Sequence, residues 1–369
     1  MKQKISVMVT DDSALMRRMI SDMINMEEDM EVIGIAKNGE DLLEKLKNKV
    51  PDVITLDVEM PKMNGIEALK EIIDKKLKTK VIMLSSLTKD GAETTMECLQ
   101  IGAIDFVPKP SGSISLNINQ VKELLASKIR EAVLSRRITS YIKPEIKKDI
   151  NNSLRDRSAL KLNKESASTR NLSKVEAKNK VSAVVIGAST GGPKALFEVI
   201  TKLPENLDVP VLVVQHMPEG FTRSFAERLN KFSNLYVVEA EDGMKVVKGI
   251  VYIACGGKHM TVEKGKIKLN MEPAIWGVRP AVDKLFLSAV SEYKENILGV
   301  ILTGMGRDGA EGIKNIKMAG GHTIAEDEST CVIYGMPKAA VQTNMVDEVV
   351  PLYEINERIA DIVLRKGIV

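Results

Sequence analysis

The sequence has few of the features that mark a secreted, membrane-spanning or nucleic-acid-binding protein. Its three cysteines, Cys98, Cys255 and Cys331, lie far apart, which excludes a CxxC metal or redox motif. No apolar run reaches the roughly 20 residues that a membrane helix needs. Aromatic residues make up only 4% of the chain and the net charge is +3, so no basic, aromatic-rich surface for nucleic acid is predicted. We expect a cytoplasmic protein with reduced thiols, no nucleic-acid partner and no direct membrane insertion.

The length and composition indicate two globular domains joined by a tether. A chain of 369 residues is too long for one ordinary core. Apolar residues make up 44% of it and charged residues 28%, as is typical of a soluble globular protein. The segment 147–180 is rich in Lys, Arg, Asn and Ser and has no aromatic residue, so it buries too little surface to offset ordering entropy. We predict domains at 1–130 and 181–369, with a charged linker at 131–180.

Short apolar runs alternate with amphipathic stretches in the first domain. One such stretch, from Ser13 to Met26, predicts a helix with Leu15, Met19 and Met23 near one face, together with Met26. Strands that alternate with helices form a parallel sheet covered on both faces, so we predict a doubly wound α/β domain of the flavodoxin-like type. Its predicted strands are Ile5–Val9, Val32–Ala36, Val53–Asp57, Val81–Ser85 and Gly102–Val107.

Charged and hydroxyl side chains follow several of these strands. Asp11, Asp12, Asp57, Ser85 and Lys109 all fall at strand carboxyl ends, which share one edge of a parallel sheet. Three carboxylates that meet there would repel one another unless a cation lay between them, and oxygen ligands suit Mg²⁺. The lysine adds a point positive charge that could hold a phosphoryl oxygen. Each residue alone could be an ordinary helix cap or surface charge, but five in this order favour a functional site.

The Asp-Asp pair, the Leu-Asp-x-x-Met-Pro segment and the Lys-Pro pair resemble the receiver domain of bacterial response regulators. The resemblance covers residues 4 to about 130. It implies that Asp57 accepts a phosphoryl group, and that Asp11 and Asp12 help it to hold Mg²⁺. It also implies that Ser85 and Phe106 are switch residues that respond, together with the lysine, to phosphorylation.

A second series of strands and helices begins at Val181 and predicts another α/β domain with a mostly parallel sheet. Its predicted strands include the apolar run Val184–Ile186, Val211–Gln215, Asn296–Leu302 and His322–Ala325, and a hairpin is predicted at His259–Leu269. Its predicted helices are Phe221–Phe232, Pro280–Tyr293 and one that begins at Glu354.

The turn Gly187-Ala188-Ser189-Thr190-Gly191 fits G-x-S-x-G, which lifts a serine hydroxyl above a sheet. Of the three histidines, only His216 ends a predicted parallel strand, and Asp308 follows the next long apolar strand at the same edge. We therefore predict a triad in which Ser189 is the nucleophile, His216 the base and Asp308 the orienting acid. The N–H groups of Thr190 and Met305 are the candidates for an oxyanion hole. The chain order Ser, His, Asp disfavours the α/β-hydrolases.

Two other interpretations stay open. Residues 304–309 also fit G-x-G-x-x-G, and Glu326 ends the next strand, where a ribose-binding acid would lie in a dinucleotide site. Asp308 argues against that site because its negative charge would face a pyrophosphate. The second interpretation is a response regulator whose second domain acts by binding alone.

The receiver pattern, the linker, Ile-Gly-Ala-Ser-Thr-Gly-Gly, Gln-His-Met and Leu-Thr-Gly-Met-Gly-x-Asp-Gly together resemble the chemotaxis protein-glutamate methylesterase family. The resemblance implies a phosphorylation-regulated serine hydrolase that cleaves glutamate γ-methyl esters and deamidates specific glutamines on methyl-accepting chemoreceptors. It implies the histidine kinase CheA as phosphodonor and no cofactor for the esterase reaction. Arg307 departs from the small polar residue expected beside the triad acid, and Trp276 and Met217 are possible residues at the mouth of the site.

Overall fold

The computed structural model describes residues 4–86, 88–109, 118–135 and 180–364, and it contains two α/β domains. Most of the predicted linker lies outside these ranges, so the domain limits stay predictions. Within the described ranges, no helix combines the length and the apolarity that a bilayer crossing requires.

The first domain is a parallel sheet of five strands in the order β2-β1-β3-β4-β5, with helices on both faces. This order confirms the doubly wound prediction, and it brings the carboxyl ends of β1, β3, β4 and β5 to one edge. The strands are β1 (Ile5–Thr10), β2 (Met30–Ala36), β3 (Val53–Asp57), β4 (Lys80–Ser85) and β5 (Asp105–Pro108). The helices are α1 (Ala14–Asn25), α2 (Gly39–Leu46), α3 (Gly65–Asp74), α4 (Lys89–Ile101) and α5 (Ile118–Leu134).

Local sequence fixes where these helices begin. The side chains of Ser13, Asn38 and Thr88 accept hydrogen bonds from backbone N–H groups in the first turns of α1, α2 and α4. The predicted apolar face of α1 is wrong at its two ends, because Leu15 is 68% and Met26 67% exposed. The helix buries Met23, as predicted, together with Ile20 and Ile24. The first turn and the C-cap therefore extend past the packed face, which the apolar spacing alone does not show.

The second domain has a seven-stranded parallel sheet in the order β14-β13-β12-β6-β7-β9-β8. The predicted hairpin forms a separate antiparallel pair. The strands are β6 (Ala183–Ala188), β7 (Val211–Gln215), β8 (Tyr236–Glu239), β9 (Ile250–Ile253), β10 (His259–Glu263), β11 (Lys266–Asn270), β12 (Ile297–Ile301), β13 (His322–Glu326) and β14 (Glu348–Val350). The helices are α6 (Gly192–Ile200), α7 (Phe221–Phe232), α8 (Val282–Tyr293), α9 (Ala310–Met318), α10 (Met336–Val341) and α11 (Leu352–Leu364).

The sheet order places β6 at the centre, between β12 and β7. These three strands are wholly buried, and the turns that leave their carboxyl ends lie side by side. The segments that carry Ser189, His216 and Asp308 are therefore neighbours, although they are far apart in the sequence.

The two domains contact each other through α4 and β5 of the first domain, the predicted receiver, and α6 and α7 of the second domain. One apolar cluster includes buried residues of both, among them Met96 and Leu99 from α4 and Phe225 from α7. The rings of Phe106 in β5 and Phe221 in α7 lie 4.4 Å apart between centroids. The receiver thus covers the side of the second domain that holds the carboxyl ends of β6 and β7.

Candidate active site

Ser189 follows β6 directly and lies in a tight turn before α6. Its backbone N–H donates to the carbonyl of Thr303 (3.0 Å), and its own carbonyl accepts from the N–H of Gly192 (2.7 Å). Gly191 has a φ of +79°, and a Cβ there would lie 2.5 Å from Val332. Glycine is required at this position because both the backbone conformation and the space exclude a side chain. The turn holds the serine backbone in one place at the carboxyl edge of the sheet.

His216 follows β7, and its backbone is tied to the serine turn. Its N–H donates to the carbonyl of Ala188 (3.1 Å). The side-chain amide of Gln215 donates to the carbonyls of Ser189 (2.9 Å) and His216 (3.0 Å). The two predicted catalytic segments are therefore joined by hydrogen bonds in addition to the strand pairing.

Asp308 binds the histidine ring and the start of α8. Its Oδ2 accepts from His216 Nε2 at 2.8 Å and from the N–H of Val282 at 2.6 Å, and its Oδ1 accepts from the N–H of Asp283 at 3.0 Å. Burial acts to raise the pKa of Asp308, but His216 and these N–H groups outweigh it and hold the pKa below its ordinary value. Asp308 is therefore an anion that fixes the His216 ring through Nε2. Nδ1 is the ring nitrogen that Asp308 does not bind.

The Ser189 hydroxyl does not hydrogen-bond to His216 within the described residues. Hydrogen bonds between a nucleophile and its base are often long or unformed until substrate is bound, so the Ser189–His216 pair stays a prediction. The structure brings all three predicted residues to one edge, and it joins two of them directly.

The two predicted oxyanion donors flank Ser189. Among the described residues, the N–H groups of Thr190 and Met305 have no hydrogen-bond acceptor, whereas the N–H of Gly304 donates to the carbonyl of Ile333 (3.1 Å). A Cβ on Gly304 would lie 2.7 Å from the Cβ of Ser189. This close approach brings the Met305 peptide next to the serine and leaves two N–H groups unused there.

The interpretation as a dinucleotide site is wrong, because Glu326 is not available to a ligand. Its side chain is fully buried, and its Oε2 accepts from the N–H of Thr303 at 2.7 Å. Burial raises the pKa of Glu326 to about 7. The carboxylate of Asp308 in turn occupies the N-terminus of α8. Glu326 therefore supports the serine turn through Thr303, and Asp308 holds the His216 ring.

The other two histidines have structural positions, as their places in the sequence predict. His259 is fully buried, its Nδ1 accepts from the N–H of Ala281 (3.2 Å), and its Nε2 contacts the carbonyl of Pro273 (3.1 Å). His322 lies beside β14, and its Nε2 is 2.6 Å from Glu348. Neither ring reaches Ser189.

Ser189, His216 and Asp308 line a cavity of about 630 Å³ between the two domains. Met217 and Trp276, the two predicted mouth residues, also line it; Trp276 is 61% exposed, whereas Met217 is buried. The guanidinium of Arg307 lies 5.1 Å from the Trp276 ring centroid. The opposite wall comes from the receiver residues Asp105, Phe106, Gln120, Glu123, Leu124, Ser127, Lys128 and Glu131. The receiver therefore forms one side of the candidate active site.

A buried polar cluster joins the receiver to the residue after Ser189. Lys128 in α5 donates through Nζ to the Thr190 hydroxyl (2.7 Å), and it pairs with Asp105 (2.7 Å) and Glu131 (3.1 Å). The Thr190 hydroxyl can donate to Asp105 (2.9 Å) or to Glu131. Burial acts to lower the pKa of Lys128, but the two carboxylates outweigh it and raise the pKa. Sequence analysis missed this cluster, because no local pattern connects α5 with the serine turn.

The receiver acids lie together at the edge of the first sheet. Carboxylate oxygens of Asp11, Asp12 and Asp57 lie within 4.8 Å of one another. Lys109 Nζ lies 2.9 Å from Asp11 and 2.7 Å from Asp57. The second oxygen of Asp57, Oδ2, is buried and has no hydrogen-bond partner. Burial raises the pKa of Asp57 to about 6, against the effect of Lys109 and with that of Asp11.

These acids fit a divalent cation. The donors are hard carboxylate oxygens, and one buried oxygen lacks the partner that a metal would supply. The Ser85 hydroxyl lies at the next strand end, but it contacts the carbonyl of Gly91 (3.1 Å) and accepts from Thr95 (2.6 Å). The predicted hydroxyl switch is therefore turned toward α4.

Comparison with known proteins places both domains. A family model of the CheB methylesterase matches residues 184–359, and one of the response regulator receiver domain matches residues 7–118. The protein-glutamate methylesterase/protein-glutamine glutaminase of Clostridium acetobutylicum is 50% identical over 364 residues, 98% of each chain. Its counterpart in Thermotoga maritima is 46% identical over 363 residues, 97% of this chain and 98% of that one.

A solved structure also matches the second domain. The crystal structure of the Thermotoga maritima CheB methylesterase catalytic domain is 46% identical and covers 50% of this chain and 100% of that one, with a TM-score of 0.48. The relatives above match over nearly the full length of this chain. The chain therefore belongs to the CheB family of response regulators, the protein-glutamate methylesterase/protein-glutamine glutaminase hydrolases of chemotaxis.

Proposed function

We propose that this enzyme hydrolyses glutamate γ-methyl esters, and deamidates specific glutamines, on chemoreceptors through a triad of Ser189, His216 and Asp308. The observation that supports this most is the bond of 2.8 Å between His216 Nε2 and the buried Asp308, in the cavity that Ser189 also lines. An anchored imidazole beside a serine in a strand-to-helix turn is the arrangement that acyl transfer needs.

In the first half of the proposed reaction, His216 Nδ1 takes the Ser189 proton as the serine oxygen attacks the γ-carbonyl carbon. The N–H groups of Thr190 and Met305 stabilise the oxyanion, and Asp308 stabilises the imidazolium. His216 then protonates the leaving group, which departs as methanol from an ester or as ammonia from a glutamine. Water attacks the acyl-serine with His216 again as base, which releases the carboxylate and restores the Ser189 hydroxyl.

We propose that the receiver controls access to this site. The substrate is a side chain on a folded receptor, so it must enter from the face that Leu124 and Lys128 of α5 now cover. The cluster around Lys128 also holds the hydroxyl of Thr190, the residue whose N–H is a candidate oxyanion donor. Unphosphorylated chain is therefore expected to be a weak hydrolase in the cytoplasm.

Phosphorylation of Asp57 by a histidine kinase, CheA by family resemblance, is the proposed release signal. Asp11, Asp12 and Asp57 would hold Mg²⁺, which neutralises phosphoryl charge when it is bound. A phosphoryl group on Asp57 attracts Lys109 and the Ser85 hydroxyl, which must then leave its contacts with Gly91 and Thr95. Those contacts lie at the start of α4, and α4 packs on α7, so the rearrangement reaches the interface that contains Phe106 and Phe221.

The proposal is tested by methanol release from methylated receptor membranes, with and without acetyl phosphate as a small phosphodonor. Replacement of Ser189 by Ala should lower the phosphodonor-stimulated rate by about 10⁴-fold or more, because the nucleophile is lost. Replacement of the exposed Ser291 by Ala serves as the matched control and should leave the rate unchanged. Full methanol release by the Ser189→Ala variant would reject the triad and favour a second domain that acts by binding.

A further inference from the structure

At the N-termini of α8 and α9, a carboxylate from each helix start accepts hydrogen bonds from backbone N–H groups of the other helix. Asp308, which precedes α9, accepts hydrogen bonds from the N–H groups of Val282 and Asp283 at the start of α8. Asp283 lies in the first turn of α8, and its Oδ1 accepts from the N–H of Gly312 in α9 at 2.7 Å. Each helix is therefore capped by an acid that belongs to the other, and the predicted triad acid is one of the two.

Close packing keeps the two acids in place. A Cβ on Gly312 would lie 2.5 Å from the Cβ of Phe286, and a Cβ on Gly309 would lie 2.8 Å from Val282. Asp283 and Asp308 are both buried. Because the helices approach this closely, they cannot slide or rotate against each other without a clash, so the position of one carboxylate depends on the other.

Asp308 lies between Asp283 and the histidine. Burial and the neighbouring Asp308 charge raise the pKa of Asp283 to about 6, against the effect of the Gly312 N–H. Asp308 is the ionised group that faces Asp283, and His216 lies on the far side of Asp308. The Trp276 side chain also interacts with Asp283, and the Arg307 guanidinium lies over the Trp276 ring, 5.1 Å from its centroid.

We propose that Asp283 is a positioning residue for hydrolysis, one that orients Asp308 and whose negative charge sets the pH range in which His216 acts as a base. This inference rests on the proposed triad. A negative charge behind Asp308 stabilises the protonated imidazole, so ionised Asp283 makes His216 a stronger base. Without the Asp283 charge, the imidazole of His216 stays neutral down to a lower pH.

The test measures how fast full-length, acetyl phosphate-treated enzyme reacts with diisopropyl fluorophosphate between pH 5 and pH 9. In this reaction the Ser189 oxygen bonds to phosphorus, fluoride leaves, and the serine proton passes to His216. The variants are Asp283→Asn, which keeps the shape without the charge, and Asp283→Glu, which keeps the charge. Glu292→Gln is the control, since Glu292 on the same helix also accepts two backbone N–H groups (2.9 Å each) but lies at the other end.

The proposal predicts that Asp283→Asn moves the acid limb of the rate profile to lower pH by about half a pH unit or more. Asp283→Glu and Glu292→Gln should keep the limb of the unaltered enzyme, and mass spectrometry should find the label on Ser189. If Asp283→Asn does not move the acid limb of the rate profile, the inference about Asp283 is overturned and the triad is not. An equal loss of rate at every pH in the Asn and Glu variants would also overturn it, because that result means a structural role only. If the unaltered enzyme carries no label on Ser189, both the triad and this inference are rejected.

Discussion

Removal of the Lys128 charge should switch the hydrolase on without phosphorylation. Lys128 is the cation between Asp105, Glu131 and the Thr190 hydroxyl, with a side chain only 13% exposed. The replacement Lys128→Met keeps the length and apolar character of the stem but removes the donors. Two buried carboxylates then face each other and Thr190 without a cation, which favours separation of the receiver from the serine turn.

The structure sets the size of the effect. Loss of a buried ion-pair partner costs about 3–5 kcal/mol in total, but both carboxylates belong to the receiver, so most of that cost stays within one domain. The part that crosses the interface is one charge-assisted hydrogen bond to Thr190, worth about 1.5–3 kcal/mol. In the closed form the receiver covers the serine turn, and in the open form it does not. At about 1.4 kcal/mol for each factor of ten, the replacement lowers the population of the closed form about tenfold to a hundredfold relative to the open form.

The assay compares methanol release by unphosphorylated and acetyl phosphate-treated enzyme. Lys128→Met should raise the unphosphorylated rate by about tenfold or more, up to the limit set by the phosphorylated enzyme. Lys122→Met is the matched control, since Lys122 lies on the same helix and pairs with Glu27 inside the receiver (3.3 Å). That control should leave the unphosphorylated rate unchanged.

One result would refute the reasoning. If Lys128→Met keeps the low unphosphorylated rate of the unaltered enzyme, yet is phosphorylated on Asp57 and stimulated to the same final rate, the Lys128 cluster does not hold the closed form. A general loss of receiver structure is distinguished by thermal melting and by the extent of Asp57 phosphorylation.

Two further results are expected. Because the pKa of Asp57 is raised from 3.8 to about 6, its ionisation costs the folded receiver stability as pH rises through that window, up to about 3 kcal/mol above it. Without Mg²⁺, Asp57→Asn should therefore raise the melting temperature at pH 7.5 and have little effect at pH 4; an equal change at both would contradict this. Gly304→Ala should lower kcat by about 100-fold, because its Cβ would lie 2.7 Å from that of Ser189. An unchanged kcat would show that the turn can move.

The alternation of strands and helices was sufficient to predict both domains and the edge at which their sites lie. Parallel strands bring their carboxyl ends together, so the sequence pattern is enough to place the residues after β6, β7 and β12 side by side. The same rule placed Asp11 and Asp57 next to each other. Local pattern succeeds here because the geometry of a parallel sheet is largely fixed by its topology.

The side-chain partners within the site could not be predicted in this way. Asp283 reads as an ordinary acid in the first turn of α8, and only the packing of Gly312 against Phe286 brings it to α9. Glu326 matched the spacing of a ribose-binding acid, yet the fold buries it under Thr303. Spacing along the chain does not show whether a strand-end carboxylate points into a cleft or into the core.

Short elements and the meeting of domains were also beyond the sequence patterns. β14 has three residues, too few for a periodic signal, and its place is fixed by β13 and by the bond between His322 and Glu348. The contact of Lys128 with Thr190 joins residues on two domains that a segment outside the described ranges separates. No property of either stretch indicates the other.

The contact between the rings of Phe106 and Phe221 has a consequence for the timing of the proposed response. Both side chains are buried where the domains meet, so separation of the domains would expose apolar surface to water and cost free energy. In the proposed scheme, reclosure then needs no inhibitor protein and no further signal. In that scheme, the lifetime of the phosphoryl group on Asp57 sets how long each period of hydrolysis lasts, so the receiver controls the duration of hydrolysis as well as access to the site.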